Sequence, residues 1–238
     1  MTGSSLSLSR RNWIRLTGTA VVGLAAARAM PAGAAEPGKA ASVRDPAAVW
    51  RALLDGNKRF ANGRPTIRRR PADFAALAAG QAPEAVIVGC ADSRVPPELV
   101  FDQGVGDLFV VRVAGNVVSG TGFIVKSSIE YAVLELKVPL IVVLGHSGCG
   151  AIKAALQHLD SNDSPPGSIK ELVDALRATA ASAKDKPGNP LDNAIRANVE
   201  AGVARLKALD PIVAPAVKAG QVGVTGAVYE LRTGIVTP

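Results

Sequence analysis

The chain carries two cysteines and two histidines in 238 residues. Three of these four fall in two short clusters. One is Cys90-Ala91-Asp92-Ser93-Arg94; the other is His146-Ser147-Gly148-Cys149-Gly150. Two thiols and one imidazole suit zinc, which takes sulfur and nitrogen ligands in tetrahedral geometry. Three protein ligands leave one position open, whereas a closed structural site uses four. The remaining histidine, His158, is expected on a helix surface away from the metal. Asp92, two residues from Cys90, could fill the open position as a fourth ligand in a closed state. Arg94 stands two residues further on and can reach the same carboxylate. A bidentate Asp–Arg pair would fix both groups and withdraw Asp92 from the metal. Two thiolates cancel the zinc charge, so water bound there is acidified less than at a three-histidine site, yet still toward neutrality. Asp92 could then accept a hydrogen bond from the resulting hydroxide. The plainer reading is two buried thiols acting as small apolar groups beside a loop ion pair.

The elements that must carry these residues are legible as apolar runs. Residues 85–90, 108–113, 140–145 and 222–228 are nearly unbroken apolar stretches of strand length. Such runs predict strands covered on both faces. Helical patterns fall at 46–60, 73–79, 121–137, 150–159, 168–183 and 190–208. In 46–60, Val49, Trp50, Leu53, Leu54 and Phe60 form a stripe behind an Asp45-Pro46 start. Strands alternating with helices predict an α/β fold: a mostly parallel sheet of about four strands, flanked by helices, with an N-terminal helical arm. The segment 233–236 is expected to add a C-terminal antiparallel edge strand. Cys90 ends the first strand and His146 and Cys149 follow the third. Open parallel sheets bind ligands at that end.

Composition narrows the classes. Hydrophobic residues make up 48% of the chain, which excludes disorder for the bulk. Two cysteines cannot staple a chain of this length. Aromatic residues, at 4%, are too few for a stacking platform for single-stranded nucleic acid. The net charge of +7 points to a polyanion partner only until its location is read. Residues 1–35 hold Arg10, Arg11, Arg15 and Arg28 and no acid; beyond them 23 basic face 20 acidic residues, a net +3. Neither this balance nor the short run Arg68-Arg69-Arg70 requires nucleic acid.

Those first 35 residues read as an address. Arg10-Arg11 precede a short apolar run and then Met30-Pro31-Ala32-Gly33-Ala34-Ala35, small residues of a cleavage site. The paired arginines resemble a twin-arginine signal. The run is shorter than the roughly 20 residues that span a bilayer. The expectation is an exported protein, periplasmic or secreted, with no stable membrane anchor and one domain over residues 36–238.

The two clusters resemble the β-class carbonic anhydrases, whose C-x-D-x-R and H-x-x-C pair they match. The likeness extends to Gly56-Asn57-Lys58-Arg59-Phe60, residues 106–112, Glu130-Tyr131-Ala132-Val133, Gly226-Ala227-Val228-Tyr229 and Thr233-Gly234. It implies one zinc ion per chain on Cys90, His146 and Cys149, with Asp92 and Arg94 as the catalytic pair. It implies reversible hydration of carbon dioxide to bicarbonate and a proton by zinc-bound hydroxide. Gln81 and the N–H of Gly150 would donate to substrate oxygen, and Phe109 and Tyr131 would form an apolar wall. Family members assemble as dimers or larger homo-oligomers, with Trp50 and Phe60 as conceivable partner contacts. Ala114 and Ile87 depart from the family's commoner residues. The rival readings are a carbon disulfide or carbonyl sulfide hydrolase on the same fold, and a non-catalytic zinc-binding protein.

Overall fold

A computed structural model describes residues 44–66, 71–118, 123–161 and 163–238. The export signal read at 1–35 and Arg68-Arg69-Arg70 lie outside the described residues. The sheet has five strands: β1 (Ala85–Cys90), β2 (Leu108–Val113), β3 (Leu140–His146), β4 (Gly223–Tyr229) and β5 (Val236–Thr237). Their order across the sheet is β2-β1-β3-β4-β5. The first four are parallel and β5 pairs antiparallel to β4.

β1 and β3 are buried at every residue. Their side chains alternate between two cores. Val86, Val88, Ile141 and Val143 face α4 (Phe123–Leu134), α7 (Pro190–Lys207) and α8 (Val213–Lys218). Ala85, Ile87, Leu140, Val142 and Leu144 face α1 (Pro46–Ala61) and α3 (Pro97–Val100). A third cluster joins α5 (Gly150–Asp160), α6 (Ile169–Lys184) and α7 and includes both cysteines. α2 (Pro71–Ala78) precedes the sheet.

α1 starts where its chemistry allows. The Asp45 carboxylate accepts from the Ala47 N–H at 3.0 Å, with Pro46 in the first turn. Its stripe packs within the chain: Val49 and Leu53 are buried, and Trp50 meets Phe101 edge-on at 6.3 Å. Phe60, too, packs against this core. Asn57 pins the helix to two distant segments. Its amide donates to the carbonyls of Val100 and Gly234 and accepts from the Val236 N–H.

α7 lies unusually close to the sheet. A Cβ on Gly145 or Gly226 would come within 2.6 or 2.5 Å of the Val199 side chain. Only glycine in β3 and β4 permits that approach.

Four features differ from the sequence reading. β2 is an edge strand and only partly covered, although its apolar run reads as fully buried. The predicted 121–137 helix ends at Leu134, and Lys137 takes a left-handed φ of 54°. The edge strand falls at Val236–Thr237 rather than 233–236, with Gly234 at φ 75° making the turn. α3 and α8 have four and six residues, too few for a helical period to show. Among the described residues no helix is long and apolar enough to cross a membrane.

Candidate metal centre

Chain connectivity opens a crevice between β1 and β3. These strands are neighbours in parallel, with Gly89 in register with Leu144. The chain leaves β1 toward β2 on one side and leaves β3 toward β4 on the other. Loops that diverge in this way leave room at the carboxyl ends. Cys90 is the last residue of β1 and His146 the last of β3. Cys149 follows through Gly148, whose φ of 65° turns the chain back, and caps the N-terminus of α5.

The two sulfurs and the imidazole nitrogen all lie within 4.8 Å of one another. Ligand atoms around tetrahedral zinc, with bonds of about 2.0–2.3 Å, stand roughly 3.5–4 Å apart, so small adjustments suffice. The three residues are 5%, 0% and 1% exposed in the order Cys90, His146, Cys149, which excludes water as their routine partner.

The donor set fits a metal on a second ground. His146 Nδ1 stands 3.0 Å from the Ser147 carbonyl, so that nitrogen carries the proton and donates. Nε2 is then an acceptor, fully buried, with no hydrogen-bond partner among the described residues. A metal is the group that such a lone pair suits, and a backbone bond on the far nitrogen is the usual way to fix the tautomer. Ser147 is itself tied down. Its N–H donates to the Tyr229 carbonyl at 2.9 Å, its hydroxyl donates to Glu230 at 2.9 Å, and that oxygen accepts from the Leu231 N–H at 3.0 Å.

A hydrogen bond from the Cys149 thiol draws the pKa of Cys90 down against the opposing effect of burial, and backbone N–H groups including that of Gly115 act the same way. The same hydrogen bond, together with burial, pushes Cys149 up. A divalent cation would take the place of that proton and ionise both sulfurs.

Asp92 stands beside this group and is claimed by Arg94. Arg94 Nε donates to Oδ1 at 2.9 Å and Nη2 to Oδ2 at 2.7 Å, while the Arg94 N–H adds a bond to Oδ1 at 3.0 Å. The guanidinium holds the carboxyl well below the usual carboxylate range. Oδ2 is 3.9 Å from His146 Nε2, so this acceptor looks onto the position a metal would take. Arg112 fixes the loop itself: its guanidinium donates to the carbonyls of Cys90 at 2.9 Å and Asp92 at 2.5 Å.

The chain as a whole resembles known proteins. A family model described as carbonic anhydrase matches residues 85–236. Carbonic anhydrase 2 of Mycobacterium tuberculosis is 42% identical over 191 residues, covering 80% of this chain and 91% of that protein. The carbonic anhydrase of Pseudomonas aeruginosa is 39% identical over 189 residues, covering 77% and 84%. A tetrameric β-carbonic anhydrase of Sordaria macrospora superposes with a TM-score of 0.63 at 32% identity, over 80% of this chain and 96% of that one. The chain belongs to the β-class carbonic anhydrases.

The other residues read from sequence as site residues of a β-carbonic anhydrase fall in two places. Gly150 follows Cys149 as the first residue of α5, beside the centre. Gln81, Phe109 and Tyr131 do not join it within this chain. Gln81 is exposed in the loop entering β1, four positions before Ala85, and β1 then runs five steps, roughly 16 Å, to Cys90. Phe109 is in register with Val86, not with Cys90. Tyr131 packs on Phe109 at 6.2 Å between ring centres and is 48% exposed. His158 lies at the far end of α5, bonded to Asp163. Sequence reading missed Ser147, Glu230 and Gly115 as supports of the ligands. Of these only Ser147 lay inside a motif already singled out.

The Asp92 pair gives a pH prediction. Because the folded pKa is depressed, the pair is intact above the ordinary carboxylate range near 3.9 and is lost only as pH falls through the lower value. Carbon-13 NMR of Asp92 between about pH 7 and pH 5 should therefore show no titration. In Arg94→Leu, the same resonance should begin to titrate in that window as the pKa returns to about 4.

Proposed function

We propose that this chain catalyses the reversible hydration of carbon dioxide to bicarbonate and a proton, with Cys90, His146 and Cys149 holding one zinc ion. The observation that carries the reading is the unpartnered, buried His146 Nε2, grouped with two thiols within 4.8 Å and faced by an arginine-locked carboxylate. Zinc bound there would acidify water toward neutral pH and so supply a nucleophile for an uncharged substrate. The protein's own residues do the rest. Asp92 stays an acceptor because Arg94 occupies both its oxygens, and it can orient a hydroxyl proton without itself taking it. Arg112 holds the Cys90–Asp92 loop in place as the carboxylate works. The N–H of Gly150, at the start of α5, is a free donor of the kind that stabilises negative charge at a helix N-terminus.

The substrate wall is proposed to come from a second copy. Gln81, Phe109 and Tyr131 stand toward the amino-terminal end of the parallel strands, away from Cys90. β2 is an edge with an incompletely covered face. Next to it α4 exposes Phe123, Ile124, Tyr131 and Leu134. A twofold axis across that edge reverses the strand direction, so the partner's Phe109 would approach the carboxyl end where Cys90 sits. The tetrameric Sordaria relative supports assembly in general.

Export by a twin-arginine route is proposed from residues 1–35. A route for folded chains suits this centre, because Cys90 and Cys149 lie close enough to be oxidised as a pair in an oxidising compartment. Zinc bound before export would protect both.

Stopped-flow carbon dioxide hydration with zinc assayed on the same sample tests the activity. The expected result is about one zinc per chain and turnover that rises with pH. Cys90→Ser should lose zinc and turnover together. Asp92→Asn should keep zinc and lose about 100-fold or more in kcat/KM. Turnover without zinc, or zinc with turnover of carbon disulfide only, would overturn the reading.

Assembly is checked by light scattering of Ile124→Asp. The charge on the exposed α4 face should give monomers that retain zinc yet turn over at least 10-fold slower. Monomers with full activity would place the whole site in one chain. Export is checked by replacing Arg10 and Arg11 with lysine, which should leave the chain in the cytoplasm.

A further inference from the structure

Asn198 sits in the middle of α7, where asparagine is a poor helix former. It is 3% exposed, and its helix otherwise buries Ala194, Ile195, Val199, Gly202 and Leu206. A buried amide among apolar residues needs a partner. Its Nδ2 donates to the Gly115 carbonyl at 2.9 Å across 83 positions of sequence. The close seating of α7 on Gly145 and Gly226 brings it within reach.

Gly115 in turn touches the metal centre. Its N–H donates to Cys90 Sγ at 3.3 Å, and this bond is buried. The residue has a left-handed φ of 67°, and a Cβ there would press to 3.2 Å on both Ala151 and Leu176. Glycine is therefore required, but glycine is also the residue whose backbone holds its own direction least. Something outside the residue must aim the N–H at the sulfur.

We propose that Asn198 is a positioning residue of the metal centre: by holding the Gly115 carbonyl from α7, it keeps the Gly115 N–H on the Cys90 sulfur. The inference rests on the reading of Cys90 as a zinc ligand. Hydrogen bonds to a ligand sulfur stabilise its charge and fix its lone pairs, and loss of such outer supports costs about 10–100-fold in metal affinity. Its donor is committed to the Gly115 carbonyl, so it acts through that residue.

The test uses the purified zinc-loaded chain with Asn198→Leu, which keeps the branching at Cγ and the number of heavy atoms and removes the donor. Zinc affinity is measured by competition with a chelator, and the cobalt-substituted protein reports the sulfur-to-cobalt charge-transfer band. Asn198→Leu should bind zinc at least 10-fold more weakly and shift the band, with helical content unchanged. Val213→Ala, a cavity in the other core at the start of α8, is the control; it should lower the melting temperature and leave affinity and band alone. Should Asn198→Leu not fold, Asn198→Ser is read by the same two measurements. Wild-type affinity and an unmoved band in the variant would overturn the proposal, as would equal losses in Val213→Ala. Absence of zinc binding by the wild-type chain would instead overturn the metal centre itself, and this inference with it.

Discussion

A buried imidazole nitrogen with no partner costs a fold about 1–3 kcal/mol, and this fold keeps one at the tip of its most deeply buried strand. His146 Nδ1 is committed to the Ser147 carbonyl, so Nε2 must face the two sulfurs as an acceptor. Everything near it serves to keep that lone pair aimed. β3 is buried at all seven residues and gives the ring no freedom of backbone. Ser147 is anchored to β4 and to the loop beyond it by three bonds. That loop is closed by the Glu230 and Ile235 backbone pairs and tied to α1 through Asn57. The metal centre therefore draws its rigidity from both ends of the described chain.

Charge follows from the same arrangement. Two thiols and a carboxylate are gathered in one crevice, and each would repel the others if ionised alone. Arg94 removes the carboxylate from that competition by bonding both its oxygens. The N–H of Gly115 does the corresponding work for Cys90. Cys149 sits where the first-turn N–H groups of α5 favour its anion, while its bond to Cys90 and burial push its pKa up. The result is a ligand set whose charge a divalent cation would balance, beside a carboxylate that Arg94 holds as an acceptor.

Much of this was legible in the sequence because the relevant signals are local. The apolar runs of β1 and β3 gave strand ends, and strand ends gave the crevice holding Cys90, His146 and Cys149. The Asp92–Arg94 spacing gave the ion pair. What was not legible depends on distance in sequence. The β2 run is as apolar as its neighbours, yet nothing local says that it lies at an edge. Glu230 meets Ser147 across 83 positions, as Asn198 meets Gly115, and no motif joins either pair. α3 and α8 were missed for a different reason, since four and six residues cannot show a period of 3.6.

The placement of Gln81, Phe109 and Tyr131 shows what a motif leaves unsaid about geometry. A motif lists residue types, and it says nothing of whether they meet in one copy of the chain. In a parallel sheet the metal ligands gather at the carboxyl ends, because that is where loops diverge. Residues preceding β1 or opening β2 are held at the other end by the same parallel order. The register of Phe109 with Val86, four positions short of Cys90, makes this separation a property of the sheet rather than of any side-chain rotamer. A change of rotamer does not cross roughly 13 Å of strand. If these residues serve the centre at all, a copy with its strands reversed must present them, and the half-covered edge of β2 is the side from which such a copy would come. The half-covered apolar face of β2 is the feature that favours the second copy proposed above.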